Sequence, residues 1–152
     1  QVFSQGIFNA NEITKQDVIT VADAEGNIAA FLNIIPDYVP DECTYDLIRK
    51  TAEAPGGCMD ALIIKLTAYA KENMCRYINL GLVPMTGIAD PKNPAEHLVK
   101  YAGERLKRFK HYHGLRDFKQ KYASTWKDKF LVYETDYDLL QLPAALNKVM
   151  KP

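Results

Sequence analysis

A carboxylate and a guanidinium stand three positions apart in Tyr45-Asp46-Leu47-Ile48-Arg49, an otherwise apolar run. Two opposite charges set in an apolar strand are residue types that could do chemistry. A structural ion pair explains the same two residues. On a regular strand, positions three apart face opposite sides, so a shared site needs the strand to end or twist near Ile48.

Three further segments have residue types suited to chemistry. Asn79-Leu80-Gly81-Leu82-Val83-Pro84-Met85-Thr86-Gly87 follows a short apolar run. Crevices in open α/β sheets form just past strand ends, and Gly81 permits close backbone approach to a ligand, although a tight turn uses glycine in the same way. Glu104 and Arg105 fall mid-helix among basic neighbours, where a solvated face is the plain alternative. In Tyr112–Tyr122, Arg116 and Lys119 are i, i+3 neighbours on a helix expected to begin just after Gly114, with Lys121 pointing elsewhere. A helix N-terminus with convergent cations makes a phosphate site. His111 and His113 have no third ligand in sight, so no metal is expected.

The elements that must position these groups follow from periodicity. Asp17–Asp23 and Ile28–Ile35 read as a hairpin turning at Glu25-Gly26-Asn27, with a buried second strand that stops at Pro36. Tyr45–Arg49 is a third strand, Met59–Met74 a buried helix and Arg76–Leu80 a strand parallel to the third. Residues 84–94 form a loop. A helix over Ala95–Tyr112 ends at His113-Gly114, and a short helix runs over Leu115–Tyr122. A late strand over Lys129–Glu134 and a final helix over Leu140–Met150 complete a mixed α/β (α+β) domain.

The 152 residues suffice for one domain with a real core, and 47% apolar with 25% charged residues is ordinary for a globular protein. No apolar run approaches the roughly 18 residues that span a bilayer, so the chain is expected to be soluble and to reach a membrane only from outside the hydrocarbon. Cys43, Cys58 and Cys75 lack C-x-x-C spacing and read as reduced thiols. The net charge of zero hides an asymmetry: residues 1–99 carry 7 basic against 13 acidic residues, whereas residues 100–129 carry 10 against 3. Tyr101, Phe109, Tyr112, Phe118, Tyr122 and Trp126 are interleaved with those cations. Such a segment suits a polyanion, while a merely solvated helix face is the plain alternative.

Taken in order, YDLIR (45–49), APGGCMD (54–60), NLGLVPMTG (79–87), GER (103–105) and HGLRDFKQKY (113–122) with Trp126 resemble the C-terminal cytosolic domain of the multiple peptide resistance factor family, the phosphatidylglycerol lysyl- and alanyltransferases. The start, Phe3–Phe8, and the tail LLQLPAALNKVM also fit, so the resemblance covers nearly the whole chain. It implies a GNAT-like acyltransferase fold, a mixed central sheet flanked by helices, with residues 1–152 forming a single GNAT-like domain that corresponds to the second half of a tandem pair. The first half and the membrane flippase region of family members have no counterpart in these residues.

The resemblance also implies a reaction at the cytoplasmic face of the bacterial inner membrane. The hydroxyl of phosphatidylglycerol attacks the ester that joins lysine or alanine to tRNA, with aminoacyl-tRNA as donor and no cofactor. Asp46 is then the candidate base or ammonium ligand, and Glu104 orients a cation or contacts the ammonium. Arg49, Arg105, Arg116, Lys119 and Lys121, with Asn79 and Gly81, line the places for phosphate, tRNA terminus or oxyanion.

Two rival readings make different demands. An acetyl-CoA-dependent N-acetyltransferase on the same fold wants a Q/R-x-x-G-x-G/A pyrophosphate loop, and APGGCMD lacks that form. A thermal shift with acetyl-CoA would favour it. A non-catalytic module for tRNA or anionic membranes would keep the basic face without transfer.

Overall fold

The computed structural model describes residues 8–83, 91, 94, 97, 110–130, 132–138, 140–141 and 145. The chain forms two compact units, Gln1–Gly81 and Leu82–Pro152.

The first unit opens with a helical turn, α1 (Ala10–Ile13), which the apolar pattern does not announce. It is capped by Asn9, whose Oδ1 accepts the Asn11 amide at 3.0 Å. A four-stranded sheet follows, in the order β1 (Val18–Ala22), β2 (Ile28–Ile35), β3 (Glu42–Lys50), β4 (Tyr77–Asn79). The first three strands are antiparallel and β4 runs parallel to β3, giving the expected mixed α/β, GNAT-like class. The hairpin turns at Gly26, whose φ of 88° suits glycine. There the Asp23 carboxylate accepts both the backbone and the side-chain N–H of Asn27, which pulls its pKa below the ordinary carboxylate value.

Between β3 and β4 lies α2 (Cys58–Glu72). Gly57 enters it in the left-handed region, Asp60 sits in the first turn and Lys71 in the last, each favourable to the helix dipole. Its apolar stripe of Leu62, Ile63, Leu66 and Ala70 is buried, as are Ala30, Leu32 and Ile34 of β2 and Cys43, Tyr45 and Ile48 of β3. Leu32, Leu62 and Leu66 have no exposed surface and form the centre of this core. β3 is longer than the expected Tyr45–Arg49, because Glu42, Cys43 and Thr44 pair with Tyr77, Ile78 and Asn79. β4 is shorter than expected.

The second unit holds α3 (Lys110–Gln120). The expected break at His113-Gly114 does not occur: the helix runs through Gly114. An exposed glycine costs a helix only about 1 kcal/mol, which burial of the neighbouring Leu115 can offset. Pro94 and His97 are helical, but most of the helix expected over Ala95–Tyr112 lies outside the described residues. The expected strand over Lys129–Glu134 is not formed by its described residues; Phe130 and Val132 are 85% and 90% exposed, and among the described residues no strand pairs with this β-rich run. The last helix begins before Leu140, with helical residues at 136–138. Thr135 and Asp138 cap it reciprocally: the Thr135 amide donates to the Asp138 carboxylate at 2.9 Å, and the Asp138 amide donates to the Thr135 hydroxyl at 3.4 Å.

Candidate functional site

The register of β2 against β3 decides whether Asp46 and Arg49 can act together. Leu32 pairs with Ile48 and Phe31 with Arg49, but Ile34 pairs with Tyr45. One residue of β2, Asn33, therefore faces two of β3, Asp46 and Leu47, and the strand carries a β-bulge. Leu32, Ile34, Tyr45 and Ile48 share the face that packs into the core. Arg49 falls on the opposite face with Phe31, and alternation from Tyr45 puts Asp46 there too. The twist near Ile48 that a shared site requires is this bulge. Asp46 and Arg49 are each half-buried, and Arg49 keeps its Nε enclosed.

The bulge has its own fastening. Asn33 is 2% exposed, the one strongly polar residue in IAAFLNII. Its Oδ1 accepts the Leu47 amide at 2.8 Å, and its Nδ2 donates to Gln16 Oε1 at 2.7 Å. Sequence reasoning missed Asn33, although a lone asparagine in a buried apolar strand was the signal for it.

Past β4 the backbone turns back. Gly81 has φ 75°, and its amide donates to Asn79 Oδ1 at 2.9 Å. Asn79 Nδ2 donates to Glu42 Oε1 at 2.8 Å, so both ends of this side chain are used in holding the turn. The Thr44 hydroxyl donates to the Asn79 carbonyl at 2.9 Å, and the Tyr45 hydroxyl to the Leu80 carbonyl at 3.3 Å. Burial pushes the Tyr45 phenol up to about 12, so it acts as a neutral donor. These bonds tie the strand end after β4 to the residues that precede Asp46.

In the second unit, the expected convergence of cations at a helix N-terminus is not what is found. Because α3 passes through Gly114, no helix starts there. Arg116 is exposed, with its guanidinium carbon 5.8 Å from the centre of the Trp126 ring, and exposed Lys121 lies 5.5 Å from that of Phe118. Phe118 and Tyr122 meet edge to face at 5.6 Å. Lys119 is buried, its Nζ donating to the Leu82 carbonyl at 3.1 Å, and burial pushes its pKa down to about 8. Glu104 and Arg105 lie outside the described residues.

A thiol nucleophile is not supplied by Cys43. Burial is the main cause that raises its pKa to about 11, with Cys75 close by, so it stays protonated near neutral pH. Among the described residues, no group of three or more His, Cys, Asp or Glu side chains is placed to hold a metal. No helix of those residues is long and apolar enough to cross a membrane.

Comparison with known proteins gives a consistent set of matches. Residues 1–133 match the family described as phosphatidylglycerol lysyltransferase, C-terminal. The chain is 34% identical over 139 residues to a phosphatidylglycerol lysyltransferase of Bacillus subtilis (strain 168), covering 90% of this chain and 16% of that protein. It is 31% identical over 157 aligned positions to the Staphylococcus aureus (strain COL) protein of the same name, covering 98% of this chain and 18% of that one. The structure of L-PGS from Bacillus licheniformis superposes with a TM-score of 0.74 at 28% identity, over 96% of this chain and 46% of that one. The chain thus spans under a fifth of the length of the curated relatives.

Proposed function

Because the chain belongs to the phosphatidylglycerol lysyltransferase C-terminal family, we propose that it forms part of an aminoacyltransferase that moves lysine or alanine from aminoacyl-tRNA to the hydroxyl of phosphatidylglycerol. The observation that carries this reading is the β-bulge opposite Asn33, which lets a carboxylate and a guanidinium three residues apart share one face of β3.

A lipid hydroxyl is a poor nucleophile at neutral pH. Asp46 accepts its proton as the oxygen attacks the ester carbonyl, a contribution typically worth about 10²–10⁴-fold. The carbonyl oxygen becomes an oxyanion, and the Arg49 guanidinium stabilises that charge. Collapse of the tetrahedral intermediate breaks the bond to the tRNA ribose oxygen. The proton held by Asp46 passes to that leaving oxygen, so the carboxylate is regenerated and no cofactor is consumed. The cations of residues 100–129, Arg116 and Lys121 among them, attract the polyanionic donor and the lipid phosphate.

In this proposal an upstream GNAT-like half and a membrane region are the chain's partners, with the reaction at the cytoplasmic face of the inner membrane; that the chain covers only 16% and 18% of two curated relatives leaves room for both. The test is transfer of radiolabelled lysine or alanine from charged tRNA into extractable lipid, using the protein as the cell makes it and vesicles that contain phosphatidylglycerol. Label must enter the lipid with either amino acid; label that stays on tRNA with both would overturn the reading.

A further inference from the structure

Asn33 is an expensive residue for its place. It sits in the middle of a central strand, 2% exposed, where a buried amide side chain is destabilising unless its hydrogen bonds are met. An aliphatic residue would serve the sheet better. The structure meets both of its polar ends, and the partners define which way the amide points: the Leu47 N–H can only donate, so the atom facing it is Oδ1. Nδ2 is then left for Gln16 Oε1, just ahead of β1.

The position matters because of what the register would be without the bulge. Continuing the pairing of Leu32 with Ile48 would set Asn33 opposite Leu47 and Ile34 opposite Asp46. Asp46 would then share the core face with Leu32 and Ile34, and Tyr45 would leave it. A carboxylate would be buried against apolar neighbours and separated from Arg49 by the sheet. The extra residue of β3 avoids this, but it takes the Leu47 amide out of the regular backbone ladder. Asn33 supplies the acceptor that amide needs.

We propose that Asn33 is a positioning residue: by accepting the Leu47 amide it holds the β-bulge that puts Asp46 and Arg49 on one face, and Gln16 fixes the orientation of its amide. Both polar ends of Asn33 are engaged within the protein, by Leu47 and Gln16. Its effect on turnover passes through Asp46, which makes this inference rest on the proposed transfer reaction.

The test compares Asn33→Leu, which removes the acceptor at similar volume, with Asn33→Asp, which keeps one. Activity is normalised to folded protein. Asn33→Leu is expected to lower kcat at least about tenfold while KM for phosphatidylglycerol stays within about twofold, and Asn33→Asp to recover most of the loss. Added to Asp46→Asn, the leucine substitution is expected to cost less than about twofold more, because the two act through one group. Additive losses, or Asn33→Leu within about twofold of the parent, would overturn the proposal.

A second readout does not depend on transfer. Amide hydrogen exchange at Leu47 should rise at least about tenfold in Asn33→Leu, and less in Gln16→Met, which leaves the acceptor in place. Unchanged exchange overturns the proposal even if activity falls. If the parent protein transfers nothing to lipid, the transfer reading fails, and the Leu47 amide alone decides the role of Asn33. If Asn33→Leu does not fold, Gln16→Met carries both measurements: a modest loss of turnover with faster Leu47 exchange supports the role, and no change in either contradicts it.

Discussion

The Nζ of Lys119 donates to the main-chain carbonyl of Leu82 at 3.1 Å, so this lysine spends its charge on backbone within its own unit. Burial leaves the ammonium poorly solvated and lowers its pKa from 10.5 to about 8. The unfolded chain therefore binds this proton more tightly than the folded one. The resulting penalty is full below pH 8 and is relieved as pH rises from about 8 to 10.5, amounting to roughly 3 kcal/mol at most. Denaturation midpoints measured for the parent and Lys119→Met across that window should differ by an amount that changes with pH, the parent gaining on the variant as pH rises. A pH-independent difference would show that Lys119 is not desolvated as described.

The core under the sheet predicts a different kind of loss. Leu66 is fully buried on α2, and Leu66→Ala removes buried methyl groups from a site that includes Leu32 and Leu62. The expected cost is about 2–5 kcal/mol in urea unfolding. The exposed Ile64, on the same helix, should lose less than about 1 kcal/mol when replaced by alanine.

Arg116 and Trp126 form an exposed cation–aromatic pair, the geometry expected of a surface that meets phosphate and base together. Arg116→Ala should weaken tRNA binding several-fold at about 50 mM salt and reduce the salt slope by about one unit. Filter binding over a salt series measures both quantities. An unchanged slope would assign the pair to local packing alone.

Cys43 tests the exclusion of a thiol intermediate. With its pKa raised to about 11, it should resist alkylation at pH 7.5, and Cys43→Ser should leave lipid transfer within about threefold. Trapping an aminoacyl thioester on Cys43 would contradict the direct-attack mechanism.

Much of the first unit was legible because its signals are local. The hairpin turn is written in Glu25-Gly26-Asn27, and α2 in a long apolar stripe bounded by Gly57 and Asn73. The pairing of Asp46 with Arg49 was legible only as a condition, since strict alternation separates them. What satisfies the condition is a slip against a neighbouring strand, a non-local fact carried by Asn33 and Gln16. Arg116 and Lys119 illustrate the reverse case. Their i, i+3 spacing puts them on one helix face, but it does not say that one would be exposed beside Trp126 and the other buried and bonded to the Leu82 carbonyl. Gly114 read as a stop because glycine often is one, yet nothing else in the described residues ends the helix there.

The central claim is that Asp46, carried to the face of Arg49 by the bulge in β3, takes the proton of the lipid hydroxyl. Single-turnover transfer from aminoacyl-tRNA to phosphatidylglycerol, measured for the parent and for Asp46→Asn with equal folded protein, tests it most directly. The account predicts that the rate falls at least about 10²-fold while tRNA binding is retained. Transfer by Asp46→Asn at close to the parent rate would contradict it.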